Sequence, residues 1–230
     1  MNPDIGSLLA AAALFVGGHF ALSSAALRPV LVQRLGERGY LGVYTAVAVV
    51  ALLWMIVAYV NSPWIPVWGD QPELRWVPIV IMPFSMILLI TGATTRSPTG
   101  VVSEDAPGMP PADGILRITR HPIQWGISLW AASHLIANGD LATIIFMGGF
   151  LILSQFGMAH IDRRREATLG ADWGPVAMTT SAVPFKALIQ GRTTMDWPGI
   201  GLWRPALGLA LYVVFLYAHE WVIGVGALPL

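Results

Sequence analysis

Long apolar runs restrict the fold of this chain more than any other feature. A transmembrane helix needs about 20 consecutive, mostly apolar residues to cross the hydrocarbon core of a bilayer. Four runs have about that length and two are shorter: residues 5–27, 40–60, 141–160 and 203–226, then 77–92 and 123–136. The pattern predicts an all-α, polytopic integral membrane bundle of about six transmembrane helices, organised as a single domain over residues 1–230.

Composition and charge agree with the lipid bilayer as the surroundings. The chain is 55% hydrophobic and 11% charged, and its zero net charge gives no reason to expect a nucleic-acid partner. Of the 13 basic residues, all except Arg75 fall in the first, third and fifth predicted connections. Basic residues collect on the cytoplasmic side of a membrane. We therefore predict a bacterial inner-membrane protein whose two termini are periplasmic, with the first apolar run retained as a span.

Two histidines within the apolar runs are candidate metal ligands. The chain has no cysteine, so a metal would have to be bound by histidine, methionine or carboxylate side chains. At 1.5 Å rise per residue, we expect His19 about 12 Å and His134 about 17 Å from the cytoplasmic face. Two imidazoles at similar depth could hold the iron of a haem as axial ligands. Hydrogen bonding of each histidine across a helix interface is the alternative, and the sequence leaves both open.

Other side chains near these positions suggest cofactor contacts. Trp130 lies four residues before His134 and therefore on the same helical face, where its ring could pack on a flat cofactor or in the core. Arg117, Arg120 and His121 precede the fourth run, where they could bind a cofactor propionate or an anionic substrate. The alternative for these three residues is a helix-start loop with snorkelling arginines.

The remaining two positions with histidine give weaker evidence for a functional role. His160 ends the fifth run beside Asp162 and is typical of a polar residue at the membrane interface. His219 and Glu220 form an ionisable pair well inside the last run. Ionisable residues at membrane depth are costly and usually functional, so we interpret this pair as a support for a metal site without binding the metal, or as an element facing a cavity.

Several segments in order along nearly the whole chain resemble a known family. They are Gly17-Gly18-His19, residues 35–38, residues 114–122, Asp162-Arg163-Arg164, residues 181–185, residues 189–192 and Ala218-His219. These segments resemble the NnrU family and its plant relatives, the 15-cis-ζ-carotene isomerases. The resemblance implies an integral membrane fold that binds haem b. It also implies axial histidines in the G-x-H segment of the first span and the W-x-x-x-H segment of the fourth, which are His19 and His134 here.

The resemblance implies cis–trans isomerisation of a polyene as the leading function. One departure weakens it, because the plant enzymes have a cysteine three residues before the second histidine, suggested as an alternate iron ligand, and this chain has Ala131. A non-catalytic haem protein of nitric oxide or denitrification metabolism, binding a diatomic gas, is the alternative. A third hypothesis is a membrane methyltransferase, because Arg120-His121-Pro122 and Gly170-x-x-Trp173-Gly174 are similar to segments of enzymes that methylate phospholipids and isoprenylcysteine.

Overall fold

The computed structural model describes residues 4–69, 71–99 and 112–228. Within these residues the regular structure is helical and no β-strand forms, which confirms the all-α prediction. Three short 3₁₀ segments, Pro72–Arg75, Gly114–Arg117 and Gly170–Asp172, precede the third, fourth and sixth α-helices. The α-helices are α1 Ile5–Leu22, α2 Leu27–Val60, α3 Trp76–Thr94, α4 Pro122–Asn138, α5 Leu141–Leu169, α6 Trp173–Thr179, α7 Lys186–Ile189, α8 Trp197–Ile200 and α9 Trp203–Ile223.

Five helical segments of the described residues are long and apolar enough to cross a membrane. They are α1, α2, α9, the segment Pro72–Thr94 that contains α3, and the segment Leu141–Thr179 that begins with α5. The sixth predicted run forms α4, which has 17 residues and is therefore about 25 Å long. That length falls short of a hydrocarbon core of about 30 Å, so α4 would have to lie among its neighbours.

The long helices pack in a spatial order that differs from their order in sequence. Helix α1 contacts α2 and α5, α5 contacts α4, α4 contacts α3, and α3 contacts α9. The largest buried apolar cluster joins α1, α2, α4 and α5, with Leu8, Phe15, Met55, Ala131 and Phe146 among its members. Large apolar side chains such as Phe84, Phe156 and Trp221 are exposed instead. Apolar outer faces are expected where lipid replaces water.

Small residues allow the helices around α3 to approach closely. A Cβ on Gly126 of α4 would lie 2.7 Å from Cγ of Leu89 in α3, and one on Gly208 of α9 would lie 2.9 Å from Cα of Ile87. Ser85 Oγ in α3 donates a hydrogen bond of 2.7 Å to the Gly126 carbonyl. Helix association in a membrane depends on such close packing, because burial from lipid gives little hydrophobic gain.

Local signals set the ends of the helices. Helix α1 ends at Leu22, where Ser23 Oγ donates to the His19 carbonyl at 2.5 Å. Helix α4 ends at Gly139, which adopts a left-handed conformation with φ 63°, and Asp140 then caps α5 by accepting from the Thr143 amide at 3.0 Å. These are the usual stop and start signals of helices.

The helices alternate in direction, so the connections fall at two ends of the bundle. The end with the α1–α2, α3–α4 and α5–α9 connections is called the basic end. The end with the α2–α3 and α4–α5 connections is called the opposite end. Helices α4 and α9 are each antiparallel to α3, since Gly126 lies at Leu89 while Gly92 lies at Ile123, and Gly208 lies at Ile87 while Tyr212 bonds Ile79. Helices α4 and α9 therefore both run toward the opposite end.

Candidate functional site

Two imidazoles face each other between α4 and α9. The ring centroids of His134 and His219 are 6.5 Å apart, and the ring planes differ by 19°. Each histidine lies four residues before the last residue of its helix, His134 in α4 and His219 in α9. The parallel course of the two helices brings these positions to the same level, near the opposite end of the bundle.

A backbone carbonyl fixes one nitrogen of each ring. His134 Nδ1 lies 2.9 Å from the Trp130 carbonyl, with Ser133 Oγ at 3.4 Å, and His219 Nδ1 lies 2.6 Å from the Val225 carbonyl. The second contact forms because Gly224, with φ 85°, turns the chain back after α9. Since a carbonyl only accepts, each Nδ1 carries the proton and each Nε2 has a free lone pair.

The two Nε2 atoms are available for a ligand. Neither of them has a hydrogen-bond partner within the described residues. Histidines that bind metal usually donate their other ring N–H to a carbonyl or carboxylate, which fixes the ring and its tautomer. The donor set of His134 and His219 therefore fits a transition metal that supplies its remaining ligands itself, such as the iron of a haem.

Helix α3 is the shared neighbour of the two helices that carry the pair. Both helices pack on α3, but among the described residues they make no comparable contact with each other. Tyr212 OH of α9 donates to the Ile79 carbonyl of α3 at 2.9 Å and helps to fix α9 beside α3. The imidazoles thus meet between two helices that both pack on α3, and His219 is only half-buried.

Trp130 lies beside this pair, as its spacing from His134 predicted. The two ring centroids are 5.9 Å apart, and the other side of the indole packs edge-on against Phe150 at 5.0 Å. Phe150 in turn contacts Phe15 at 5.2 Å, which contacts His19 at 4.6 Å. A chain of aromatic contacts therefore separates the two histidines that the resemblance pairs.

His19 occupies a different environment between α1 and α2. Its Nδ1 lies 2.6 Å from the Phe15 carbonyl, and the Tyr44 ring packs edge-on at 5.5 Å. The crevice beside it has no room for a water molecule and is bounded by Gly18, Leu22, Val47 and Ala48 in addition to the three aromatic rings. Sites for small molecules usually measure about 300–1,000 Å³, so this crevice would have to open to admit a flat cofactor.

The expected similar depth of His19 and His134 is wrong. His19 lies three residues from the basic end of α1, or about 5 Å, whereas His134 lies twelve residues from the basic end of α4, or about 18 Å. The difference arises because α1 stops at Leu22 rather than at Leu27. Within the described residues no ring contact joins His19 to His134.

Arg120 and His121, two of the expected propionate contacts, bind a carboxylate at the basic end. Asp162 accepts from Nε and Nη2 of Arg120 at 3.0 Å and 2.5 Å, and from Nε2 of the fully buried His121 at 2.8 Å. His121 precedes His134 by 13 residues, about 20 Å along α4. The structure therefore does not bring Arg120 and His121 to the His134 site.

Arg117, the third expected contact, also lies at the basic end. Its side chain donates to the carbonyls of Ala112 at 3.0 Å and Thr194 at 3.2 Å, and lies 3.5 Å from Asp113. Asp196 reinforces the same region by accepting from the amides of Gly114 at 2.8 Å and Gly199 at 3.0 Å. These two backbone hydrogen bonds hold the pKa of Asp196 below its usual value, with a smaller contribution from Arg117.

The partners of His134 and His121 did not follow from the sequence. His219 was singled out only as one half of an ionisable pair, yet its ring faces His134, and Glu220 points to an exposed position instead. Asp162 was seen as part of a charged cluster, without its bond to His121. The equal distance of His134 and His219 from their helix ends is the signal that could have indicated the first pairing.

The helices and this site together define a polytopic membrane protein with a histidine pair among apolar residues. The chain belongs to the NnrU family, described as NnrU protein, which matches residues 7–227. It is 26% identical over 234 residues to the chloroplastic 15-cis-zeta-carotene isomerase of Arabidopsis thaliana. The matched residues make up 97% of this chain and 62% of that protein.

A second relative has the same name and a similar identity to this chain. The chloroplastic 15-cis-zeta-carotene isomerase of Zea mays is 27% identical over 187 residues, covering 78% of this chain and 49% of that protein. This chain thus spans about half to three fifths of the length of these curated relatives. No solved structure matches the chain.

Proposed function

We propose that this protein is a membrane isomerase that converts a cis double bond of a polyene to trans, with haem b as its cofactor. The observation that carries the proposal is the His134–His219 pair, with both Nε2 atoms free between two apolar helices. The similarity to two proteins named 15-cis-zeta-carotene isomerase supports the choice of substrate class.

The architecture suits a substrate that dissolves in the bilayer. A long polyene has no polar groups to pair, so it can enter between helices directly from lipid without a desolvation cost. Rotation about a double bond requires room for half of the chain to swing. Among the long described helices, α9 packs mainly on α3 and meets α4 at the His134–His219 contact, whereas α1 packs on both α2 and α5 around the buried apolar cluster. Fewer neighbours would therefore have to move on the α9 side.

The chain's own residues would bind and orient the cofactor. His134 Nε2 is held in the deprotonated form needed for a metal bond because Nδ1 donates to the Trp130 carbonyl. Trp130, supported by Phe150, would pack beside the ring system and exclude water. A bound haem iron from which one histidine has been displaced would polarise the double bond and lower the barrier to rotation without net oxidation or reduction.

The test is an isomerisation assay on purified protein in lipid vesicles. The haem-loaded protein should convert a 15-cis polyene to the trans isomer, followed by chromatography of the extracted pigment. His134→Ala should reduce conversion at least tenfold. His160→Gln is the matched control, because His160 bonds Ser23 at the basic end and lies outside the proposed site. Haem-loaded protein that binds carbon monoxide or nitric oxide but leaves the polyene unchanged would overturn the isomerase and favour a gas-binding role.

A further inference from the structure

We infer that His219, and not His19, is the second axial ligand of the haem iron that His134 binds. This inference rests on the proposed function, because it assumes that haem is the cofactor. It replaces one half of the ligand pair that the family resemblance implies. Three observations support it: the separation of the rings, the way each ring is held, and the surroundings of the alternative ligand.

The separation of the two rings matches what a shared metal requires. A metal–imidazole bond measures about 2 Å, so two trans Nε2 atoms lie about 4 Å apart. Each ring centroid lies about 1 Å beyond its Nε2 atom, which gives centroids about 6 Å apart by the same bond length. The observed separation of His134 and His219 is 6.5 Å. No helix movement of several ångströms is needed to bring the pair to one iron.

The two rings are also prepared in the same way. Both Nδ1 atoms donate to a backbone carbonyl, so both rings present the tautomer that binds metal through Nε2. The hydrogen bond from His219 depends on the left-handed turn at Gly224, which returns the Val225 carbonyl to the ring.

His19 fits the role of second ligand less well. Its ring is packed edge-on by Phe15 and Tyr44 in a crevice with no room for a water molecule. It lies about 5 Å from the basic end of α1, while His134 lies about 18 Å from the basic end of α4. Pairing His19 with His134 would require α1 to slide by about 13 Å or to unwind, against the buried cluster that joins α1 to α5.

The test is a spectroscopic titration with haem b of the full chain in detergent. We compare wild type with His134→Ala, His219→Ala, His19→Ala and Glu220→Gln, measuring absorption and electron paramagnetic resonance of the ferric form. Wild type should be low-spin. His219→Ala should keep haem within tenfold of wild-type affinity but become high-spin, and added imidazole should restore the low-spin spectrum. His19→Ala and Glu220→Gln should stay low-spin.

The outcomes separate this inference from the proposed function. A wild-type protein that takes up no haem overturns the proposed function and the inference together. A low-spin wild type whose His19→Ala variant turns high-spin, while His219→Ala stays low-spin, overturns only the inference. If His219→Ala fails to fold, the conservative His219→Gln variant replaces it, with size-exclusion chromatography as the check of folding. Low-spin haem in a folded His219→Gln variant would equally overturn the inference.

Discussion

The two sides of His134 offer it different partners. On the α1–α2 side, His19 has its Nδ1 held by the Phe15 carbonyl at 2.6 Å, and on the α3–α9 side, His219 has its Nδ1 held by the Val225 carbonyl at 2.6 Å. The two imidazoles are thus equally prepared to bind metal. They differ in what surrounds them, because aromatic rings pack against His19 whereas His219 faces a second imidazole.

Since His19 and His219 are held alike but surrounded differently, a free imidazole nitrogen is not sufficient evidence for a metal site. Space and a second ligand at the right distance decide between otherwise similar histidines. The α1–α5 side is a packed core, with Phe15, Phe146 and Met55 buried. The α3–α9 side is held by close contacts at glycines, and its two imidazoles meet at the edge of the packed core. The two sides should therefore differ in how tightly their helices pack and in how their histidines bind metal.

The largest expected effect concerns the ligand that leaves when a gas binds. Helix α9 packs mainly on α3, whereas α4 packs on both α3 and α5, so the bond from His219 should break more easily than the bond from His134. Carbon monoxide added to the reduced, haem-loaded protein should give complete conversion to an adduct that retains one histidine. The His219→Ala variant should form the same adduct with the same spectrum. Two different spectra would mean that His134, or another group, is displaced instead.

The next effect concerns the carboxylate at the basic end. Asp162→Ala leaves Arg120 and the buried His121 without their partner, and removal of one member of a buried ion pair costs about 3–5 kcal/mol. Because Asp162 is 19% exposed, we expect a cost of about 3 kcal/mol in the free energy of unfolding. Denaturant unfolding of the purified protein measures it. The haem spectrum should not change, and a lost low-spin signal in folded protein would show that this cluster belongs to the site.

A smaller effect distinguishes the packing of the two sides directly. Gly126→Ala places a methyl group 2.7 Å from Cγ of Leu89 and should lower stability by about 1–3 kcal/mol. Gly17→Ala in α1 meets nothing within 4 Å and should be neutral or slightly stabilising, since alanine favours helix. Thermal unfolding in one detergent compares the pair. An equal loss in both variants would contradict the close contact between α3 and α4.

The smallest expected effect depends on pH. The amides of Gly114 and Gly199 lower the pKa of Asp196 below its ordinary 3.8, so the folded carboxyl binds a proton less readily than the unfolded one. Its contribution to stability is therefore fully present above pH 3.8 and is lost as pH falls through the lower, folded pKa. Asp196→Asn should flatten the melting temperature profile in this acid range. A profile parallel to that of wild type would mean that Asp196 does not form these bonds.

The sequence predicted the positions of the helices better than it predicted which helices pack together. Apolar runs are a direct consequence of the bilayer, so α3 and α9 lie where the runs indicated and α5 begins where its run begins. Helix α2 contains its run but begins 13 residues earlier, at Leu27. The end of α1 was missed because Ser23 stops the helix within an apolar run, by bonding the His19 carbonyl. That error of five residues made His19 and His134 appear to lie at similar depth. A local cap carries little weight in a pattern based on hydropathy.

The site was only partly predictable for a related reason. The contact of Trp130 with His134 follows from a four-residue spacing within one helix, and it is present. The contact of His134 with His219 depends on α3 lying between α4 and α9, and helix periodicity does not encode which helices are neighbours. The pairing of Asp162 with His121 depends likewise on the packing of α4 against α5.

The location of the polyene tests the central claim most directly. A photoreactive polyene, activated while bound to the haem-loaded protein in vesicles, can be mapped by mass spectrometry of the labelled peptides. The account predicts labels on α3, α4 and α9 around Trp130, His134 and His219. Labels confined to α1 and α2 around His19 and Tyr44 would contradict it, because the site would then lie on the other side of His134.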